Sequence, residues 1–272
     1  MKLHELIRAA RPVEGDAVRI TEGGDELLAA IDPSRLRLTA ARNARLRLVV
    51  LHTQPTAAQI ELTAEAGASV ELTELFTAAA TVGLTLTQEA SSSARLTLVG
   101  TRGAKLTCTT ELTGADACCE QRALLLAGDD ERCELQLRTN HRGAGCTSRA
   151  QVRGVAGGTA TALFRGLVYV APDAQRTDAV QQSRNVLLSE TARIDALPQL
   201  EIYADDVQCS HGATVGLLDR DAIFYLRQRG LSESQARQLQ LTGFVNELLH
   251  DGVPTPLGEA LAELVETRLK AL

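Results

Sequence analysis

The chain has 272 residues, enough for one large domain or for a large domain with a small one. Hydrophobic residues make up 44% but aromatic residues only 3%, with no tryptophan, so a core must be layered from Leu, Val and Ala rather than gathered around large rings. A formal net charge of −6 excludes the basic footprint that nucleic acid or an anionic membrane surface requires. Lysine occurs only at Lys2, Lys105 and Lys270, which leaves few candidates for a Schiff-base or phosphate-loop lysine.

The N-terminus, residues 1–8, is broken by charge every few positions and has no apolar stretch of the kind a secretion signal needs. It has room for one short helix at about residues 2–10. No apolar run approaches the ~20 residues of a membrane span. A cytoplasmic protein is the expectation.

From about residue 17 to 215 the dominant pattern is short alternation. Leu36 and Leu38 alternate with Arg35 and Arg37, and Leu46 and Leu48 with Arg45 and Arg47. The pattern returns at Ile60/Leu62, Val70/Leu72, Leu84/Leu86, Leu96/Leu98, Leu106/Cys108 and Leu135/Leu137. Each reads as a strand of about five residues with one buried face. Several open alike, with a small or glycine-rich step: Gly67-Ala68-Ser69, Ser93-Ala94-Arg95 and Gly103-Ala104-Lys105. Such a series fits a sandwich, a barrel or a β-solenoid. The small aliphatic inward positions and the recurring openings favour the solenoid.

Six cysteines occur, Cys108, Cys118, Cys119, Cys133, Cys146 and Cys209. Without an export signal they are expected as free thiols, and no C-x-x-C suggests a preformed zinc site. Cys118 and Cys119 are neighbours and would face opposite ways on a strand, so one buried thiol is expected of them. His4, His52, His141 and His250 have no partner spacing and read as surface or satisfied histidines. Arg176 and Arg184 near Asp173 and Asp178 read as a solvated loop rather than an anion site.

The densest cluster of unusual residues is 201–216, EIYADDVQCSHGATVG. Cys209 and His211 are two apart, which on a strand puts both on one face and Ser210 on the other. A thiolate beside an imidazole can ligate a soft or borderline metal, or serve as nucleophile and base. By spacing alone the favoured reading is blander, a buried thiol beside a hydrogen-bonded structural histidine. Asp205 and Asp206 read as turn or strand-edge acids rather than a paired-carboxylate site.

After Gly216 the composition turns helical. Asp219 can cap a helix through Ile223, Phe224, Leu226 and Arg227, stopped by Gly230. Ser232 and Gln235 form a capping box, with Leu231 and Ala236 placed as a staple, for a second helix ending near Leu249. Thr255 with Pro256 starts a third, with Leu257, Leu261, Leu264, Val265 and Leu269 on one face. Three such helices should dock on the strands or on a partner. The domain expectation is a β core over 1–216 and a helical region over 217–272. No phosphate-loop, dinucleotide or serine-elbow motif occurs, so any ATP must be hydrolysed by a partner.

These residues carry a resemblance. The run 201–216 resembles the signature of the SufB/SufD family, and of its SufD branch in particular; residues 223–232, 166–179 and 185–189 are similar to it as well. The specific likeness covers about residues 164 to 250. It implies a mainly β protein: a right-handed parallel β-helix with a C-terminal α-helical appendage. It implies a non-enzymatic scaffold in the SUF iron–sulfur assembly system. That scaffold would pair with a SufB-type subunit or a second copy of itself, and dock a SufC-type ABC ATPase through its C-terminal helices. Phe224, Tyr225, Leu226 and Arg229 are the residues implied for that docking. His211, and Cys209 beside it, are implied as iron ligands for a nascent cluster at the pairing interface, with no stably bound cofactor. Family members carry a long N-terminal helical region; here alternation begins by residue 36, which reads as a compact member. Two other readings remain: a structural solenoid polymer, against which the helices after Gly216 would speak by covering one end of a stack, and a cysteine-dependent hydrolase, for which no third orienting group is evident.

Overall fold

The computed structural model describes residues 10–13, 15–249 and 255–272, with no side-chain description for 255–257. The helix expected at about residues 2–10, His4 and His250 fall outside or almost outside the described residues.

The described strands are β1 (Arg11–Pro12), β2 (Ala17–Ile20), β3 (Asp25–Ile31), β4 (Arg35–Ala40), β5 (Arg45–His52), β6 (Thr56–Ala64), β7 (Ser69–Phe76), β8 (Ala80–Gln88) and β9 (Ser93–Gly100). They continue as β10 (Lys105–Leu112), β11 (Cys118–Ala127), β12 (Arg132–His141), β13 (Thr147–Ala156), β14 (Thr161–Val170), β15 (Asp178–Leu187), β16 (Arg193–Ile202) and β17 (Gln208–Leu217). Odd strands form one sheet, β1 through β17 in order, and even strands the other, β2 through β16. Every pairing is parallel and joins a strand to the one two places on. The chain therefore coils as a parallel β-helix, one strand of each sheet per coil, and the sandwich and barrel alternatives fall away.

Inward side chains stack in register, about 4.8 Å apart. One such column runs Leu46, Val70, Ala94, Cys119, Ser148, Ala179 and Cys209. The interior between the sheets is filled by residues such as Leu38, Leu62, Leu72, Leu84 and Leu96, all at or near zero exposure. The recurring openings have a conformational cause. Asn43, Gly67, Ser91, Asp116, Gly145 and Arg176 all hold φ between 54° and 72° at the turn that enters the odd sheet. Each donates its N–H to a carbonyl one coil further on, as Gly67 does to Ala90 O at 2.9 Å. A buried small residue follows each of them: Ala44, Ala68, Ser92, Ala117, Cys146 and Thr177. At Gly67 a Cβ would lie 2.3 Å from Asn43 Oδ1, so any side chain there would have to displace the Asn43 carboxamide.

Three expectations need correction. Strands β11 to β17 are each 10 residues long, not about five. Strands also precede residue 36, with β3 hidden in the run DELLAAI, which does not alternate because apolar residues stand on both its faces. Finally, the helices do not cover an end of the stack. They are α1 (Arg220–Gln228), α2 (Glu233–Leu249) and α3 (Thr255–Leu269). Leu241, Val245, Leu248 and Leu249 of α2, with Leu261, Val265 and Leu269 of α3, pack on the outer face of the odd sheet, against Val49, Leu75, Val99, Leu124, Val155 and Val186. Glu247 of α2 meets Arg153 of β13 at 2.8 Å, and the Arg153 guanidinium lies 4.7 Å over the Phe244 ring. The predicted caps are in place: Asp219 Oδ1 accepts from the N–H groups of Asp221 and Ala222, and Ser232 and Gln235 bond reciprocally at 2.8 and 3.2 Å. No described helix is long and apolar enough to cross a membrane.

Candidate functional site

Strands β16 and β17 end their sheets, each with a neighbour on one side only. Their free edges therefore present unpaired backbone N–H and C=O groups, which template pairing with another chain unless blunted. Strand β16 carries such blunting in Pro198, Arg193, Asp195 and Glu201, but β17, QCSHGATVGL, has no proline and no lysine, arginine or carboxylate. At the opposite end the terminal strands β1 and β2 have 2 and 4 residues.

Cys209 and His211 sit on β17 as the two-residue spacing requires. Cys209 continues the column of Cys119, Ser148 and Ala179, and His211 continues that of Gln121, Ala150 and Gln181. Ser210 faces outward. Because no further coil lies above them among the described residues, Cys209 is half-buried and His211 exposed. Burial holds the Cys209 thiol above its ordinary pKa; the negative charge of Asp178 acts in the same direction and a backbone hydrogen bond from Ala179 against it. An activated nucleophile needs the opposite shift, so the surroundings of Cys209 do not favour a cysteine hydrolase. Among the described residues no three His, Cys, Asp or Glu side chains gather as a metal-binding group, so the two can supply only part of a ligand set.

Of the residues placed for partner docking, Phe224 and Tyr225 on α1 are 62% and 56% exposed. Arg229 stacks its guanidinium 4.9 Å over the Tyr225 ring, while Leu226 is half-buried. Asp205 and Asp206 are exposed in the bend between β16 and β17, where the Asp206 carbonyl accepts from the Arg176 N–H at 2.6 Å. The arginines do not share an anion: Arg184 faces Glu247 at 3.8 Å, and Asp178 pairs with Arg149.

The two other described histidines, His52 and His141, are interior. His52 meets Glu74 at 2.9 Å, both fully buried, and stacks on Phe76. His141 Nε2 lies 2.8 Å from Ser148 Oγ, but its Nδ1 has no partner, so it is not the fully satisfied histidine expected. Cys118 is exposed and Cys119 buried, as their alternation requires. All six thiols are free, and burial pushes Cys108 up to about 12 and Cys133 to about 11, leaving them as packing groups.

Sequence reasoning missed the polar interior of the later coils. Gln121 donates to Thr110 at 2.9 Å and accepts from Thr139 at 3.1 Å. Beyond them Gln181, Ser183 and Asn185 point inward from β15, each at most 5% exposed. The signal was present in the segment AVQQSRN, which has no apolar face where alternation would supply one.

A parallel β-helix whose last described coil ends in an unblunted edge strand bearing Cys-Ser-His-Gly defines the class of protein. The family model "SUF system FeS cluster assembly, SufBD core domain" matches residues 21–244, and the chain belongs to that family. It is 39% identical over 140 residues to the iron-sulfur cluster assembly protein SufD of Escherichia coli, covering 52% of this chain and 33% of that protein. It is 31% identical over 166 residues to SufD of Bacillus subtilis, covering 60% and 37%. To a SufBD family protein of Synechocystis it is 50% identical over 95 residues, covering 35% and 21%. The matched stretches thus span about a fifth to two fifths of these relatives' lengths.

Proposed function

We propose that the chain is a non-enzymatic scaffold subunit of SUF iron–sulfur cluster assembly. Its β16–β17 end pairs with a SufB-type chain or with a second copy, and Cys209 and His211 contribute ligands to iron of a nascent cluster at the junction. The cluster is cargo, passed on rather than retained. The observation that carries this reading is the placement of Cys209 and His211 on the inward face of an uncovered, unblunted edge strand of 10 residues. The unequal ends support a closed pair over a polymer: two long edges can meet, whereas a long edge meeting strands of 2 and 4 residues matches poorly. The surface of α1 and its C-cap, with the exposed Phe224 and Tyr225, the half-buried Leu226, and Arg229, docks a SufC-type ATPase. α1 follows β17 within a few residues, so movement of that partner reaches the site directly. A cytoplasmic location follows from the same reading.

The test is reconstitution of His211→Ala with the neighbouring SUF proteins, ferrous iron and sulfide. The variant is expected to fold and co-purify with its partners but to lose cluster assembly. Normal assembly by the variant refutes the assigned role.

A further inference from the structure

Gln181 stands directly below His211: the two are register partners on β15 and β17. Its side chain crosses the interior to the even sheet and lies flat on Gly166 of β14, where a Cβ would fall 2.2 Å from Nε2 and 2.6 Å from Oε1. Above Gly166 in register is Pro198, which offers no N–H and no side-chain acceptor. Gln181 is 1% exposed, yet its Nε2 has no hydrogen-bond partner. A buried amide donor left unmatched costs about 1–3 kcal/mol, so its retention calls for an acceptor that arrives with something else. The neighbouring inward amides differ in this: Gln121 and Asn185 are both hydrogen-bonded.

We propose that Gln181 is the floor of the terminal site, donating its free Nε2–H to an anionic sulfur ligand held one rung above by Cys209 and His211. This rests on reading that rung as the place of cluster assembly. Gly166 is then required because only a residue without a side chain admits the carboxamide. Gln181 is a positioning residue here, and the substrate class it recognises is sulfide or a bridging sulfur of the cluster. N–H donors to sulfur stabilise the more reduced, more negative state of a cluster, so removing one makes the reduction potential more negative.

The experiment compares wild type, Gln181→Met, Gly166→Ala, the double variant and His211→Ala, each in the complex with its SUF partners and loaded with ferrous iron and inorganic sulfide. Met keeps length and volume without a donor; Ala at 166 displaces the carboxamide while keeping its chemistry. The expected result is lower cluster occupancy or a more negative potential in both single variants, with melting temperatures near wild type. The double variant should go no further than either, because the two changes remove one interaction. If Gln181→Met does not fold, Gly166→Ala carries the same comparison. Wild-type occupancy together with wild-type potential in the folded variants overturns the assignment and points to a buried water as the amide's partner. If instead His211→Ala assembles clusters normally, the reading of the site itself has failed.

Discussion

Acidification from pH 7 to pH 5 should weaken the β-helix through His141. The residue is fully buried on β12, contacts Ser148 through Nε2 and has no partner at Nδ1, so the interior provides nothing for a second proton. Burial alone lowers its pKa to about 4 from the usual 6.5. The folded state thus binds its proton later than the unfolded state. The stability this gives is fully present above about pH 6.5 and is lost as pH falls toward 4. At about 1.4 kcal/mol per unit, the whole window is worth roughly 3 kcal/mol, and about 2 kcal/mol of it is gone by pH 5. Glu74 acts in the opposite sense. Its pKa is raised by burial, against a hydrogen bond and charge from His52, so its contribution falls as pH rises. The measurement is therefore a difference: urea unfolding of wild type and His141→Gln at pH 7 and pH 5, in which Glu74 and the surface carboxylates cancel. The variant should be less sensitive to pH by about 2 kcal/mol. Equal pH dependence in the two proteins would refute the reasoning.

Two further outcomes follow from burial and contact. Arg153→Met removes the bond to Glu247 and the stacking on Phe244, together worth about 1–3 kcal/mol, so amide hydrogen exchange should quicken along α2 while the interior strands keep their protection. Under native alkylation Cys118 should label first and Cys209 more slowly, with Cys108, Cys119, Cys133 and Cys146 labelling only on unfolding; mass spectrometry reads the order, and early labelling of Cys108 or Cys119 would contradict the packing described.

The early coils were legible because they obey one rule. In β4, β6 and β8 one face is buried and the other wet, so Leu36/Leu38, Ile60/Leu62 and Leu84/Leu86 alternate cleanly. The odd-sheet strands keep that signal only in their first halves, as at Leu46/Leu48, Val70/Leu72 and Leu96/Leu98, and beyond that lose it from two directions. The helices bury their outer face, turning the end of β11 into the continuous run LLLA, and polar side chains occupy their inner face at His52 and Glu74 and again from Gln121 onward. Alternation then predicts neither the strand nor its length. The helix caps were legible because Asp219, Ser232 and Gln235 act within four residues of themselves; where those helices dock was not, because it depends on apolar residues on the outer face of strands far earlier in the chain. For the site, spacing correctly put Cys209 and His211 on one face, but not that this face is the open end of a stack. That follows from counting coils, which needs the strands that alternation hides.

That position decides the chemistry available to the pair. In the single chain His211 is exposed and Cys209 half-buried, so water screens both. A second β-helix laid on the β17 edge would satisfy its free backbone groups and add an inward column above Cys209, His211 and Ala213. The same step removes water from the site, strengthening every interaction with a bound metal or anion there. The strand is prepared for this from below. Asn185 on β15 binds the Thr214 carbonyl at 3.0 Å, Gln181 underlies His211, and Arg184 of the same strand faces Glu247 on α2. One strand thus touches both the floor of the site and the helix that anchors the appendage. On the proposed reading, pairing and helix position would be linked through β15 as well as through α1, and Arg184→Met is expected to lower cluster assembly in the reconstituted complex without touching a ligand; unchanged assembly would refute that link.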